Sequence, residues 1–148
     1  MRITALVAVV LFTLTGCLDE PENKMDPSKS PAAVLDPAEL TTVQWIDSTR
    51  DFGKIIEGQK LEVSFRYKNT GNKPLVIYAV RPSCGCTLPE TPGKPLAPGE
   101  TGEIRATFNS EGRAGVNKKD IYVQASTKGT QSHVLHFDVE VVPAEKGK

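Results

Sequence analysis

The sequence predicts an all-β fold: an antiparallel β-sandwich of about seven strands in one domain. Three observations carry this expectation. After Thr41, apolar and polar residues alternate in short runs, the two-residue period of strands with one buried face. Gly, Pro, Asn and Asp gather between those runs, where turns need them. No stretch beyond residue 41 repeats apolar positions at helical spacing, and six or seven short strands in about 100 residues favour two stacked sheets.

Residues 1–16 read as a lipoprotein signal peptide. Met1 and Arg2 form a basic start, and Ile3 to Thr15 is apolar apart from its threonines. Such a run rises about 20 Å as a helix, too short for a hydrocarbon core of roughly 30 Å, so it reads as an export signal and not a span. It ends Leu14-Thr15-Gly16-Cys17, which resembles a bacterial lipobox. The resemblance implies cleavage before Cys17 and acylation of that residue, palmitate being one such acyl group. Cys84 and Cys86 are then the remaining cysteines, in an oxidising compartment.

Residues 17–40 read as the lipidated cysteine and a flexible linker. Pro21, Pro27, Pro31 and Pro37 lie among Asp, Glu, Lys, Ser and Ala. That composition buries too little apolar surface to offset ordering entropy. The linker reaches on the order of 25 Å as a coil and ~70 Å fully extended. Its start, Asp19-Glu20-Pro21-Glu22, resembles acidic surface-export signals of some Gram-negative lipoproteins, although a solvated linker with ordinary charges is the better explanation.

The sandwich is expected over residues 41–143, with 144–148 as a disordered tail. Val43 and Trp45 share a face of the first strand. In Lys60–Asn69, Leu61, Val63, Phe65 and Tyr67 alternate with Glu62, Ser64, Arg66 and Lys68. Asn69-Thr70-Gly71-Asn72 supplies a turn before a strand over Pro74–Val80. Strands follow at Glu103–Phe108, Asp120–Ala125 and His133–Val142, the last with Leu135, Phe137, Val139 and Val141 inward. Phe52, Phe65, Phe108, Phe137, Trp45, Tyr67, Tyr78 and Tyr122 offer bulk for one core. Both domain cysteines fall in one loop, so the sandwich is immunoglobulin-like in the broad sense, without a disulfide between sheets.

Charge excludes some functions. Eighteen basic residues balance eighteen acidic ones, which argues against a polybasic nucleic-acid binder. Two His and three Cys are too few for a multi-ligand zinc framework. Asp51-Phe52-Gly53 spells the kinase metal-binding tripeptide without its catalytic loop, and Gly93-Lys94-Pro95 is no phosphate-binding loop. Phe52 is expected to pack and Gly53 to permit a turn. With no hydrolase motif either, no enzymatic activity is expected. His133 and His136 lie three apart on a strand, hence on opposite faces, and do not form a chelating pair.

Cys84-Gly85-Cys86 follows the strand that Pro82 closes, with Gly85 expected to take a turn conformation other residues resist. Three readings stay open: a disulfide or packed thiols, a soft-metal site such as Cu(I) with a third ligand, or redox and intermolecular bonding. A disulfide here closes so small a ring that it tends to be easily reduced. Prolines at 89, 92, 95 and 98 match the polyproline II period. They read as a stiff crossover between sheets ending in a type II turn at Ala97-Pro98-Gly99-Glu100, with a PxxP ligand as the alternative.

Taken in order, Asp51-Phe52-Gly53-Lys54-Ile55, Phe65, Asn69-Thr70-Gly71, Pro74-Leu75, Ser83-Cys84-Gly85-Cys86-Thr87 and Leu96-Ala97-Pro98-Gly99-Glu100 resemble the bacterial family called domain of unknown function 1573. The resemblance runs from about residue 48 to 142. It implies an immunoglobulin-like fold, similar to modules of motile-cilium and pilus-chaperone proteins, in members often exported or lipid-anchored. It makes Asp51, Phe52, Gly53, Asn69, Gly71, Pro98 and Gly99 structural motif residues and implies no activity. The expected function is a binding or scaffolding module on the bacterial cell envelope. It would be anchored through Cys17, at the outer membrane, with a protein partner and no nucleic acid. The alternative is a thiol-based metal-binding or redox protein using Cys84 and Cys86.

Overall fold

A computed structural model describes residues 36–144. The expected signal peptide, Cys17, the expected linker up to residue 35 and residues 145–148 lie outside the described residues. A short 3-10 turn, Pro37–Glu39, opens it, with the Asp36 side chain accepting from the Ala38 N–H at 2.9 Å. Eight strands follow: β1 (Val43–Trp45), β2 (Thr49–Ile56), β3 (Lys60–Asn69), β4 (Ile77–Pro82), β5 (Thr87–Glu90), β6 (Thr101–Asn109), β7 (Gly115–Ala125) and β8 (Ser132–Val142). They form two four-stranded sheets, ordered β1-β3-β6-β5 and β2-β8-β7-β4. With β2 set aside, this is the immunoglobulin arrangement, in which the first, second, fifth and fourth of seven strands face the third, sixth and seventh.

The inward positions of the alternating strands meet between the sheets. Phe65, Phe108 and Phe137 are fully buried there with Ile104, Ile121 and Leu135. Phe137 meets Phe108 and Phe52 in T-shaped pairs at centroid distances of 5.8 and 6.1 Å, an arrangement favoured by ring quadrupoles. Burying a side chain of that size contributes on the order of 2–3 kcal/mol.

Four expectations need correction. β2 and β8 pair in parallel, Thr49 opposite His136 through Ile56 opposite Val142, so the second sheet is mixed. The cause is a change of sheet: the chain still donates from Ile46 to Arg66 O beside β3, then crosses to β8. Gly53 does not turn the chain; it sits inside β2 at a bulge with φ +68°, its N–H held by Asp51 Oδ1 at 2.8 Å. The proline segment is no crossover, because β5, including Pro89, is an edge strand paired to β6, and residues 91–100 join two strands of the same sheet. Tyr122 leaves the core: flanked by buried Ile121 and Val123, it takes the outward position and is 47% exposed.

β4 begins at Ile77, after the expected Pro74. Leu75 lies before it in an isolated bridge, exchanging backbone hydrogen bonds with Leu96 at 2.8 Å in both directions.

Candidate functional site

Asp51, Phe52 and Gly53 lie within β2, whereas Asn69, Gly71, Pro98 and Gly99 gather at one end of the β3–β6 pair and Cys84 and Cys86 at the other. At one end stands Asn69, fully buried at the close of β3. A buried amide must satisfy two donors and two acceptor positions. Asn69 does so: Nδ2 donates to Lys73 O at 2.8 Å and Leu96 O at 2.9 Å, while Oδ1 accepts from Thr41 Oγ1 at 2.9 Å and from the Gly71 N–H at 3.1 Å. Its backbone donates to Glu100 O and accepts from the Gly99 N–H. One side chain thus ties the entry strand, the β3–β4 connection and the approach to β6. A Cβ on Gly71 would stand 2.1 Å from Thr41 Oγ1 and 2.7 Å from Thr42 N, so this position requires glycine for space. Gly99 requires it for conformation: φ is +82°, and Glu100 donates to Ala97 O at 3.1 Å, as a type II turn with Pro98 at its second position demands.

At the other end, residues 83–86 carry the chain from β4 to β5. Ser83 donates from its backbone to Asp120 O at 2.9 Å, and its Oγ accepts from the Asp120 N–H at 3.1 Å. Cys86 O accepts from the Asn109 N–H at 2.9 Å, and Thr87 donates to Cys84 O at 3.3 Å. Cys84 and Cys86 are joined by a disulfide across a Cα separation of 5.3 Å. Their environments differ, since Cys86 lies in the core at 4% exposure while Cys84 packs half-buried against it. Thr87 Oγ1 is 3.8 Å from Cys84 Sγ and 3.9 Å from Cys86 Sγ. Gly85 is outside the left-handed region and has open space around its Cβ position, contrary to the conformational role expected for it. A Cu(I) ion would need both sulfurs reduced and a third donor. Among the described residues no three His, Cys, Asp or Glu side chains stand together as a ligand set.

The histidines stand on opposite faces of β8. His133 is inward, 5.5 Å from Trp45 between ring centroids. The Thr127 hydroxyl donates to Thr130 O at 2.6 Å, leaving its oxygen to accept from His133 Nε2 at 2.9 Å. Burial pushes the His133 pKa down. His136 is outward, with Nδ1 on Asp120 at 2.5 Å and Nε2 on Asp138 at 3.1 Å. The hydrogen bond to the Asp120 carboxylate pushes the His136 pKa up, with Asp138 adding charge attraction.

The outer face of the second sheet holds a feature the motifs did not indicate. Arg81 of β4, Tyr122 of β7 and Val134 of β8 stand opposite one another in one cross-strand row. Tyr122 and Val134 are 47% and 54% exposed, and with Gln124 and Ser132 they line a shallow cleft of about 310 Å³. Apolar residues at outward parity were the available sequence signal. Strand parity fixes that these side chains face solvent; the register that aligns them is set by pairing across three strands.

A protein-family profile, described as protein of unknown function (DUF1573), matches residues 43–141. The chain belongs to this family. No curated protein matches the chain. Among solved structures, the DUF1573 domain is similar to a protein of unknown function from Porphyromonas gingivalis, with TM-score 0.61 at 15% identity over 76% of this chain and 51% of that one. It is also similar to the VesB protease of Vibrio cholerae, with TM-score 0.53 at 16% identity over 70% of this chain and 32% of the protease. The ASH/PapD-like domain 7 of human CEP192 aligns with TM-score 0.51 at 16% identity, over 77% of this chain and 92% of that domain. The chain thus spans about half of the Porphyromonas protein and a third of the protease. At these identities the likeness is one of fold alone, that of an immunoglobulin-like sandwich.

Proposed function

We propose that this DUF1573 protein is a non-catalytic binding module of the bacterial cell envelope. It is anchored at the outer membrane through acylated Cys17 and set off the lipid by residues 18–40. It takes a protein partner on the outer face of the second sheet, using no cofactor and no nucleic acid. The row Arg81–Tyr122–Val134 carries this reading. Exposed Tyr and Arg side chains beside an aliphatic one are the residue types on which interface energy concentrates. Among the described residues Arg81 enters no ion pair, so its guanidinium is free for a partner carboxylate. The motif residues, by contrast, are consumed in holding the fold. Asn69, Gly71 and Gly99 spend their polar groups and space on each other's loops.

Two experiments test this. Cys17→Ala should abolish acyl labelling and detergent partitioning; persistent labelling would remove Cys17 as the anchor. A photo-crosslinking amino acid at Tyr122 should capture one discrete envelope protein, lost on adding Arg81→Glu, while the same group at Gln44 on the first sheet should not. Identical products from both positions would sink the proposed face.

A further inference from the structure

We infer that His136 is a proton switch on the outer face of the second sheet, setting the charge beside the row Arg81–Tyr122–Val134 between mildly acidic and mildly alkaline conditions. The switch stands on the geometry around His136; its effect on a partner rests on the docking function already proposed.

Strand register builds the cluster. β7 and β8 pair so that Asp120 lies directly across from His136, and Lys118 across from Asp138. On the other side of β8, the parallel strand β2 places Thr49 beside His136 and Asp51 beside Asp138. All of these positions share the outward parity. The charged groups around the ring are therefore Asp120 and Lys118 from β7, Asp138 from its own strand and Asp51 from β2. Lys54 and Glu140 pair with each other further along, at 3.3 Å, and Arg81 of β4 stands in the neighbouring row beyond Tyr122.

Hydrogen bonding fixes the protonation state. His136 Nδ1 stands 2.5 Å from Asp120 Oδ1, and Nε2 stands 3.1 Å from Asp138 Oδ1. An ionised carboxylate only accepts, and a neutral imidazole has a single N–H to give. Both contacts are hydrogen bonds only when the ring carries two protons. The hydrogen bond to Asp120, more than any other contact, raises the pH at which the second proton leaves. With 35% of the side chain exposed, that proton can pass to water without the fold opening.

Nε2 is the nitrogen that releases it. Its bond is the longer one, and its acceptor Asp138 has a second cation in Lys118 at 3.7 Å. Nδ1–H stays on Asp120, while Asp138 is left facing a nitrogen lone pair. The cluster has then lost one positive charge, and the ring has lost its hold on Asp138. His133 provides the contrast. On the inner face its Nε2 meets the Thr127 hydroxyl and no carboxylate, and burial opposes its charged form. One histidine of β8 holds a second proton and the other refuses it.

The lost charge lies close to the docking row. Val134 is two residues from His136 on the same face of β8, about 7 Å along the strand, and Tyr122 stands likewise to Asp120 on β7. That spacing is within the Debye length of about 8 Å at physiological ionic strength. An anionic partner segment, the kind Arg81 would receive, is therefore held more strongly in acid and shed as the pH rises.

The test is a pH titration of the full chain, carrying Cys17→Ala so that no acyl group is added, with the imidazole nitrogens followed by NMR. His136 should titrate above the ordinary histidine value of about 6.5, with the change at Nε2. The Tyr122 and Val134 signals should follow the same curve, and His136→Gln should abolish it at both. Asp120→Asn should move the His136 midpoint to lower pH. Dispersed amide spectra would establish that both variants are folded. A midpoint at or below about 6.5, a midpoint unmoved by Asp120→Asn, or Tyr122 and Val134 signals that ignore His136 would overturn the switch. Crosslinking through Tyr122 at fixed pH reports on the docking face alone, so the loss of that reading and the loss of the switch are distinguishable.

Discussion

The two connections flanking β4 do the same topological work and are held by different means. Between β3 and β4, Asn69 locks the chain with four side-chain hydrogen bonds to four different residues. Between β4 and β5, backbone hydrogen bonds position the loop and a disulfide bridges one glycine. The first lock is noncovalent but distributed, and losing it leaves several polar groups without a partner at once. The second is covalent but local, and losing it strands none. Bond strength and contribution to folding stability are therefore inverted here, because stability counts what the unfolded chain gains as well as what the folded one loses.

The comparison can be broken most forcefully at Asn69. Asn69→Ala should cost about 3 kcal/mol, since the Lys73 carbonyl, the buried Thr41 hydroxyl and the Gly71 N–H lose their partner together, while Leu96 O keeps the Leu75 N–H. Urea denaturation reads this directly, and a loss below that of reducing the disulfide would reverse the ranking. Gly71→Ala comes next, at about 2 kcal/mol, because the new methyl group meets Thr41 and the backbone of Thr42. Relief of that cost by Thr41→Ala would show steric conflict as its source. Reducing Cys84–Cys86 should cost only about 1.5 kcal/mol by the chain-entropy relation for a three-residue loop. Thermal melts with and without a phosphine reductant measure it. Smallest of all is Gly85→Ala, expected within about 0.5 kcal/mol of wild type, since its Cβ position is open and its φ is not left-handed. A large effect there would mean the two glycines are equivalent after all.

Much of this fold could be read from the chain because alternation survives wherever a strand has one wet face. β3, β6 and β8 announce themselves through Val63, Phe65, Ile104, Phe108, Leu135 and Phe137, each inward as its parity requires. β2 and β5 do not. β2 carries a bulge at Gly53 that resets its alternation, and β5 is four residues long with Pro89 inside it. Parallel pairing of β2 was invisible for another reason: register with β8 depends on a partner more than eighty residues away in sequence. Asn69, Gly71 and Gly99 could be named as motif residues, but their shared purpose required the fold to bring Thr41 and Leu96 to them. Tyr122 shows the opposite error, where aromatic character outweighed a parity that its neighbours Ile121 and Val123 already fixed.

The parallel pairing of β2 with β8 has a mechanical consequence. Thr49, at the entry to β2, sits beside His136, while Ile56 sits beside Val142 at the exit of β8. Tension applied between the two ends of residues 36–144 would pull these strands past one another along their length. All their hydrogen bonds would then carry load together, where an antiparallel pair pulled from one end would open a bond at a time. Resistance to such tension is set by the unfolding barrier rather than by equilibrium stability. A domain tethered on one side and gripped on the other would be loaded in its stiffer direction.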